Sequence, residues 1–366
     1  MMGRQGGERP VLITGGAGFV GTNLADRLVR QGRRVIVYDD LSRPGVDRNL
    51  HWLLETHGDA VQVETADVRD RERLTRAVGR SSAVFHFAAQ VAVTTSLTAP
   101  RHDFEVNALG TLNLLEAVRA QAEPPPVLFS STNKVYGSLP DLSLDELEDR
   151  YAPADGAQAR GVRESRALDF HSPYGCSKGA ADQYVLDYGR SYGLRTAVFR
   201  MSCIYGPHQC GTEDQGWVAH FLLAARQGRP ITLYGTGKQV RDILYVDDLV
   251  DAYLLGLRHI DRLQAQAYNI GGGAANAVSL RQVLGIIARL TGREPQVDYG
   301  PWRTGDQPWY VSDIGRFREA TGWSPRVGFA EGIRRLNDWF DGRLELPAPL
   351  VAAEPPHAAA RWGAAE

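Results

Sequence analysis

Val11-Leu12-Ile13-Thr14-Gly15-Gly16-Ala17-Gly18-Phe19-Val20-Gly21 is the stretch from which the fold is read. A short apolar strand runs into four glycines within seven positions. A helical pattern follows at Leu24, Leu28 and Val29. A strand that ends in such a turn and opens a helix points backbone N–H groups and the helix N-terminus at an anion. The glycines allow the tight turn and the close approach of a pyrophosphate. Their spacing is Gly15-x-x-Gly18-x-x-Gly21, with Gly16 added. A second strand-like run, Val35-Ile36-Val37-Tyr38, ends in Asp39-Asp40. An acid 24 positions after Gly15 suits a ribose 2′-hydroxyl and repels a 2′-phosphate, so NAD is expected over NADP.

Outward from this loop, apolar strand-like runs recur at Val61–Glu64, Ala83–Phe87, Val127–Ser130 and Thr196–Phe199. Helical patterns lie between most of them, as in Thr111-Leu112-Leu114-Leu115-Val118. Strand–helix alternation of this kind predicts an α/β fold with a doubly wound parallel sheet. After Arg200 the pattern loosens, with glycine and polar clusters and a Trp-rich end. The expected organisation is a dinucleotide-binding Rossmann domain over 10–202 plus about 241–275. A smaller, partly discontinuous substrate domain would take 203–240 plus about 276–345, with 346–366 as a disordered Ala- and Pro-rich tail. The polar segment 138–171 reads as a solvated surface insertion, with a flap over the substrate as the alternative.

Composition excludes several classes. The 366 residues carry a net charge of −2, so no global field draws the protein to nucleic acid or an anionic membrane. No apolar run approaches the ~20 residues needed to span a bilayer. The polar N-terminus does not read as a secretory signal, and a cytoplasmic enzyme is expected. Cys176, Cys203 and Cys210 lack zinc-finger spacing and read as reduced thiols; no metal is expected.

The chemistry is carried by Tyr174-Gly175-Cys176-Ser177-Lys178. On a helix, positions i and i+4 share a face, so a phenol and an ammonium project into one cleft. Oxidising an alcohol by hydride transfer requires loss of its hydroxyl proton. A free phenol, with a pKa of about 10, is too weak a base at neutral pH. A nearby ammonium and a positive nicotinamide are expected to lower that pKa. Ser130-Ser131-Thr132, at the end of a strand, supplies a hydroxyl to bond the substrate oxygen.

The chain resembles extended short-chain dehydrogenase/reductases of the nucleotide-sugar epimerase and dehydratase group. The resemblance rests on the glycine loop, His86-Phe87-Ala88-Ala89, Asn107-Ala108-Leu109-Gly110-Thr111, Val135-Tyr136-Gly137, Tyr205-Gly206-Pro207 and Arg241-Asp242-Ile243-Leu244-Tyr245. These segments run in order across roughly residues 10–345. Ser130-Ser131-Thr132-Asn133-Lys134-Val135-Tyr136-Gly137, Phe170-His171-Ser172-Pro173-Tyr174 and Thr212-Glu213-Asp214-Gln215-Gly216-Trp217 narrow it to the CDP-tyvelose (CDP-paratose) 2-epimerase group.

What the resemblance implies is specific. Thr132, Tyr174 and Lys178 are the catalytic set, with Lys178 also on the nicotinamide ribose. Gly15, Gly18, Phe19, Val20 and Gly21 hold the pyrophosphate, and Asp39 and Asp40 the adenosine side. Asp67 and Val68 lie by the adenine. Phe87, Ala88 and Ala89 line the cofactor cleft, with Asn107 behind it near the catalytic helix. Arg241 and Arg303 take the nucleotide diphosphate, since an arginine fork binds phosphate bidentately. Thr132, Asn133, Cys203, Gln209, Gln215 and Trp217 are candidates for the sugar or base. The partner is a nucleotide-diphosphate sugar, CDP-linked by preference, and the chain is expected to form a homodimer or homotetramer through a four-helix bundle.

Two positions depart from relatives. Cys203 stands where an asparagine that contacts substrate is usual. Asn133-Lys134 replaces the Asp-Glu of sugar 4,6-dehydratases, which argues against dehydration. Three functions remain in view: inversion at C2 of a CDP-linked deoxyhexose through a 2-keto intermediate; a 4-epimerase or decarboxylase of a UDP- or dTDP-sugar; and a non-catalytic NAD-binding sensor or scaffold, which the intact Thr132, Tyr174 and Lys178 argue against.

Overall fold

A computed structural model describes residues 8–212, 215–303 and 306–342. The expected tail, 346–366, lies outside the described residues. The central element is a seven-stranded parallel sheet. Its strands are β1 (Val11–Thr14), β2 (Val35–Asp39), β3 (Val61–Thr65), β4 (Ala83–His86), β5 (Val127–Thr132), β6 (Thr196–Met201) and β7 (Gln266–Ile270). Their spatial order is β3-β2-β1-β4-β5-β6-β7. The order reverses between β1 and β4, and ligands bind at the carboxyl ends of strands beside such a switch point.

Strand alternation explains why the sheet needs helices on both faces. In β1, Val11 and Ile13 enter one apolar cluster and Leu12 the other. The first cluster is closed by helices Phe19–Arg30, Val46–His57 and Val246–Arg258 through Leu24, Leu53 and Leu249. Helices Arg71–Gly79, Gly110–Arg119 and Ser172–Tyr192 close the second through Leu74, Leu114 and Val185.

The sequence reading found six of these strands. It passed over β7 because Gln266 and Asn269 interrupt the apolar run. Asn269 is nonetheless fully buried, since all its polar groups are used. Its main-chain N–H donates to Glu164 Oε1 at 2.8 Å, its amide donates to the Val162 carbonyl, and it accepts from the Tyr136 hydroxyl.

The smaller lobe is built around strand Val240–Tyr245, which pairs with Cys203–Tyr205, Ala277–Ser279 and Trp309–Tyr310. Helices Trp217–Arg226, Leu280–Thr291 and Phe329–Asp341 enclose its core of Leu222, Ile243, Ile287 and Ile333. Along this strand Ile243 and Tyr245 join the smaller lobe's core, while Leu244 and the helix that follows from Val246 pack into a cluster of the large sheet.

Segment 138–171 is stitched to both lobes, so a free solvated insertion does not describe it. Leu139 and Val162 are buried with Trp309, Tyr310 and Val311. Val162 exchanges main-chain bonds with Val311 and Asp313. Two of its acids also find partners: exposed Glu146 holds Lys238 at 2.9 Å, and half-buried Asp149 accepts from Gln282 at 2.8 Å. Its Glu164 and Val162 cap the open edge of β7, where unpaired N–H groups would otherwise be exposed.

Candidate active site

The glycine loop is closed against its neighbours. A Cβ on Gly15, where φ is +66°, would lie 2.7 Å from the Ala88 nitrogen. One on Gly21 would lie 2.3 Å from the Gly15 carbonyl oxygen. Gly18 is the N-cap of the helix Phe19–Arg30 and offers no side-chain cap, and the first turn holds no acid. Its donors therefore face an anion without competition, and a dinucleotide pyrophosphate fits this cradle.

Asp39, at the end of β2, shapes the loop. Its Oδ2 accepts from the Ala17 N–H at 3.0 Å, and its Oδ1 from Leu41 N–H at 3.0 Å. Burial raises its pKa, and these two bonds oppose the shift. Asp40 is exposed and turned to Ser42, whose N–H and hydroxyl both donate to it. Asp67 is engaged by Arg69 at 2.6 Å, while Val68 packs against Gly110. Phe87 lies edge-on to Tyr253, and the Ala88 N–H donates to the Thr14 hydroxyl. Phe87, Ala88 and Ala89 follow β4 at its carboxyl end and are half-buried, and Phe19 and Val20 begin the helix above them.

Thr132 closes β5, and its hydroxyl accepts from the Lys134 N–H at 3.2 Å. Tyr174 sits in the first turn of the helix Ser172–Tyr192, which opens with Pro173, a residue suited to a position where no N–H is needed. Tyr174 is buried and shares a hydrogen bond with Thr132. Lys178 is 3 % exposed, donates to the Ser130 carbonyl at 2.6 Å, and lies 4.2 Å from the centre of the Phe129 ring. The three expected catalytic side chains therefore converge from one strand end and one helix.

Their electrostatics are those of the protein without its dinucleotide. Burial pushes the Tyr174 phenol up to about 12, against smaller opposing pulls from Thr132 and the Arg43 charge. The Lys178 ammonium is aimed at Ser130 and is itself lowered to about 7 by burial. Asp182 and Asp103 pull Lys178 back toward the charged form.

Behind the cleft lies a buried scaffold that the sequence reading missed, apart from Asn107. Asn107, in the wide turn Glu105–Leu109, donates to Gln90 O, Asp103 Oδ1 and Ser177 Oγ. Its carbonyl accepts from the Gln90 N–H. Its amide is thus committed to protein partners, behind the cofactor cleft. Ser177 donates to Asp103 at 2.5 Å, and the Tyr174 N–H donates to the Ser96 hydroxyl. Arg200 grips Asp182 with two bonds of 2.9 Å, and Ser131 donates to the same carboxylate. Both members of that ion pair are buried. No sequence signal identified these partners, which come from segments distant in the chain.

The substrate side gathers fewer of the expected residues into direct contact. Arg241 is buried and reaches Asp306 Oδ1 at 2.5 Å. Arg303 stacks its guanidinium 3.7 Å from the centre of the Tyr234 ring. Asn133 is buried and accepts from the Thr132 hydroxyl at 3.4 Å. Cys203 has its thiol pKa raised by burial, while Arg241 and a hydrogen bond from Trp217 pull it down. Trp217 also packs edge-on to Phe221. Gln209 donates to the Ile204 carbonyl, and Gln215 closes a turn with Thr212. Lys134, absent from the expected site, stands 3.9 Å from Asp306. Burial lowers its pKa first and the Arg241 charge second, with Asp306 opposing both.

Among the described residues no helix is long and apolar enough to cross a membrane. A model of the NAD dependent epimerase/dehydratase family matches residues 11–271. The chain is 44% identical over 336 residues to a CDP-paratose 2-epimerase of Salmonella typhi, covering 90% of this chain and 98% of that protein. It is 33% identical over 336 residues to a UDP-glucose 4-epimerase of Mycolicibacterium smegmatis, covering 91% and 99%. Among solved structures, the NAD complex of Thermus thermophilus UDP-glucose 4-epimerase superposes with a TM-score of 0.76 at 35% identity, over 92% of this chain and 100% of that one.

Proposed function

The chain belongs to the NAD dependent epimerase/dehydratase family, and from that premise we propose that it inverts C2 of a CDP-linked deoxyhexose, in the manner of CDP-paratose to CDP-tyvelose. The observation that carries the choice is the 44% identity to the Salmonella typhi CDP-paratose 2-epimerase across nearly the whole of both chains. The 33% relative that acts at C4 keeps a UDP-sugar 4-epimerase as the second reading.

The glycine loop and Asp39 would hold NAD, which when bound would supply a hydride acceptor and donor. The chain's own residues do the rest. Thr132 bonds the sugar 2-hydroxyl and orients it toward Tyr174. Tyr174 takes the hydroxyl proton, and C2 becomes a ketone. Burial holds Tyr174 as a neutral phenol in the protein alone. A positive charge brought in beside the phenol stabilises its conjugate base, so Tyr174 becomes a competent base only with the site filled. Arg241 and Arg303 retain the diphosphate while the sugar presents its other face. Tyr174 then returns the proton to the new C2 hydroxyl.

A second copy of the chain is the partner that suits the exposed apolar side chains Leu97, Phe104, Tyr184 and Tyr192. A monomer by light scattering at micromolar concentration would remove that assignment. The function is tested by denaturing the protein to release its dinucleotide. CDP-, UDP-, GDP- and dTDP-sugars are then screened with product stereochemistry read by NMR. Inversion at C2 of a CDP-sugar is expected, and turnover of none of them would contradict the reading.

A further inference from the structure

Asn49 stands where the two lobes and the glycine loop meet. It lies on the helix Val46–His57 and is buried. Its Nδ2 donates to the Ala17 carbonyl at 3.2 Å, inside the glycine loop, and to the His208 carbonyl at 3.0 Å. Those two carbonyls can only accept, which fixes the orientation of the amide. Its Oδ1 therefore faces His208 Nδ1 at 3.3 Å, and that nitrogen donates. His208 follows the small-lobe strand Cys203–Tyr205 and has φ +66°, a backbone that a histidine holds only where its surroundings impose it. Its ring lies between Trp52, on the same helix as Asn49, and Trp339, on the small-lobe helix Phe329–Asp341. The ring centres are 4.2 Å and 5.4 Å away. Asn23 fastens the preceding residue independently, donating to the Pro207 carbonyl at 2.9 Å, so the segment keeps an anchor when Asn49 is replaced.

Each end of this chain of bonds leads to a ligand. The Ala17 carbonyl shares a peptide unit with the Gly18 N–H, which donates to the Gly15 carbonyl at 3.1 Å. A shift of Asn49 reorients that peptide, just before the helix N-terminus suited to a pyrophosphate. At the other end, His208 runs directly into Gln209, with Gln215 and Trp217 beyond it, all candidates for the sugar or base. One buried amide thus joins the seat of the dinucleotide to the segment expected to meet the substrate. We propose that Asn49 is a positioning residue that couples the two sites. A nucleoside diphosphate on the small lobe holds His208, His208 holds Asn49, and Asn49 holds the glycine loop around NAD. The proposal rests on the nucleotide-sugar reading above. Coupling of this kind is reciprocal, so the bound substrate slows loss of the dinucleotide and the dinucleotide tightens the substrate site.

The release rate of the dinucleotide separates this role from a structural one. Protein loaded with labelled NAD is diluted into excess unlabelled NAD, alone and with saturating CDP or UDP, whose own binding is followed by calorimetry. In wild type the bound diphosphate should slow release by about 5-fold or more, the lower end of coupling between sites. In Asn49→Ala and Asn49→Leu the ratio should fall to within about twofold of unity, with both ligands still bound. His208→Asn keeps a donor near the Nδ1 position on a residue that tolerates the left-handed backbone, and should retain the ratio. His208→Gly suits that backbone without the donor, and should lose most of it. The His208 pair decides the proposal if the Asn49 variants do not fold. A wild-type ratio in Asn49→Ala, Asn49→Leu and His208→Gly, or no slowing in wild type with both ligands bound, overturns the proposal. A response to UDP alone contradicts the choice of CDP and still decides the coupling. Failure of the underlying reading looks different: wild type then binds neither diphosphate.

Discussion

Lys178 donates to the main-chain carbonyl of Ser130 across 2.6 Å. The bond ties the helix that carries Tyr174 to the strand that ends in Thr132. It also uses one hydrogen of the ammonium that the sequence pattern places in one cleft with the phenol. Lys178 thereby fixes the spacing of the two hydroxyls that face the substrate. Burial holds its pKa at about 7, against the pull of Asp182 and Asp103.

A pH dependence of stability follows. Burial lowers the folded Lys178 from the ordinary lysine value of 10.5 to about 7. Between those values the unfolded chain holds more protons than the folded one, so stability rises with pH across the window. In protein stripped of its dinucleotide, Lys178→Met should flatten that rise. Urea midpoints of wild type and variant from pH 7 to pH 10 check this, and parallel curves would refute it.

Tyr174→Phe keeps the ring and removes the phenolic oxygen. Turnover should fall by about 10²-fold or more, the range for a positioned acid or base. The dinucleotide should remain bound, because the glycine cradle is untouched. A variant with the wild-type rate removes Tyr174 from the mechanism.

The buried Arg200–Asp182 pair supports the catalytic helix from behind. Arg200→Met leaves the Asp182 carboxylate buried without its partner, which costs roughly 3–5 kcal/mol. Denaturant titration measures the loss. A change below about 1 kcal/mol would show that the pair carries little of the helix's support.

Asp39 makes the cofactor prediction. Mass analysis of denatured protein should find NAD or NADH, and recovery of NADP as the main species would contradict it. Asp39→Ala should also loosen the glycine loop, because Ala17 and Leu41 both donate to that carboxylate. Dinucleotide content after gel filtration should drop in the variant.

Much of this could be read before the fold was known. Fully buried parallel strands are short apolar runs, so β1, β2, β4, β5 and β6 stood out in the sequence. The glycine loop and the Tyr174/Lys178 pair were legible because their chemistry depends on spacing within one segment. β7 was not, because Asn269 is a buried polar residue whose partners Tyr136, Val162 and Glu164 lie more than a hundred positions away. Segment 138–171 was read from its acids alone, while its attachment depends on distant Lys238 and Gln282. The pKa of Tyr174 depends on how deeply the finished fold encloses it, and local sequence does not encode that depth. Lys134 was visible as a departure, but its direction toward Arg241 and Asp306 needed the fold.

The central claim is inversion at C2 by removal and return of the same hydrogen. CDP-paratose is incubated with the protein in D₂O, and the product is read by NMR. The account predicts a tyvelose-configured product with no deuterium at C2. A substrate deuterated at C2 should keep its label. Deuterium entering C2 from solvent would contradict the account.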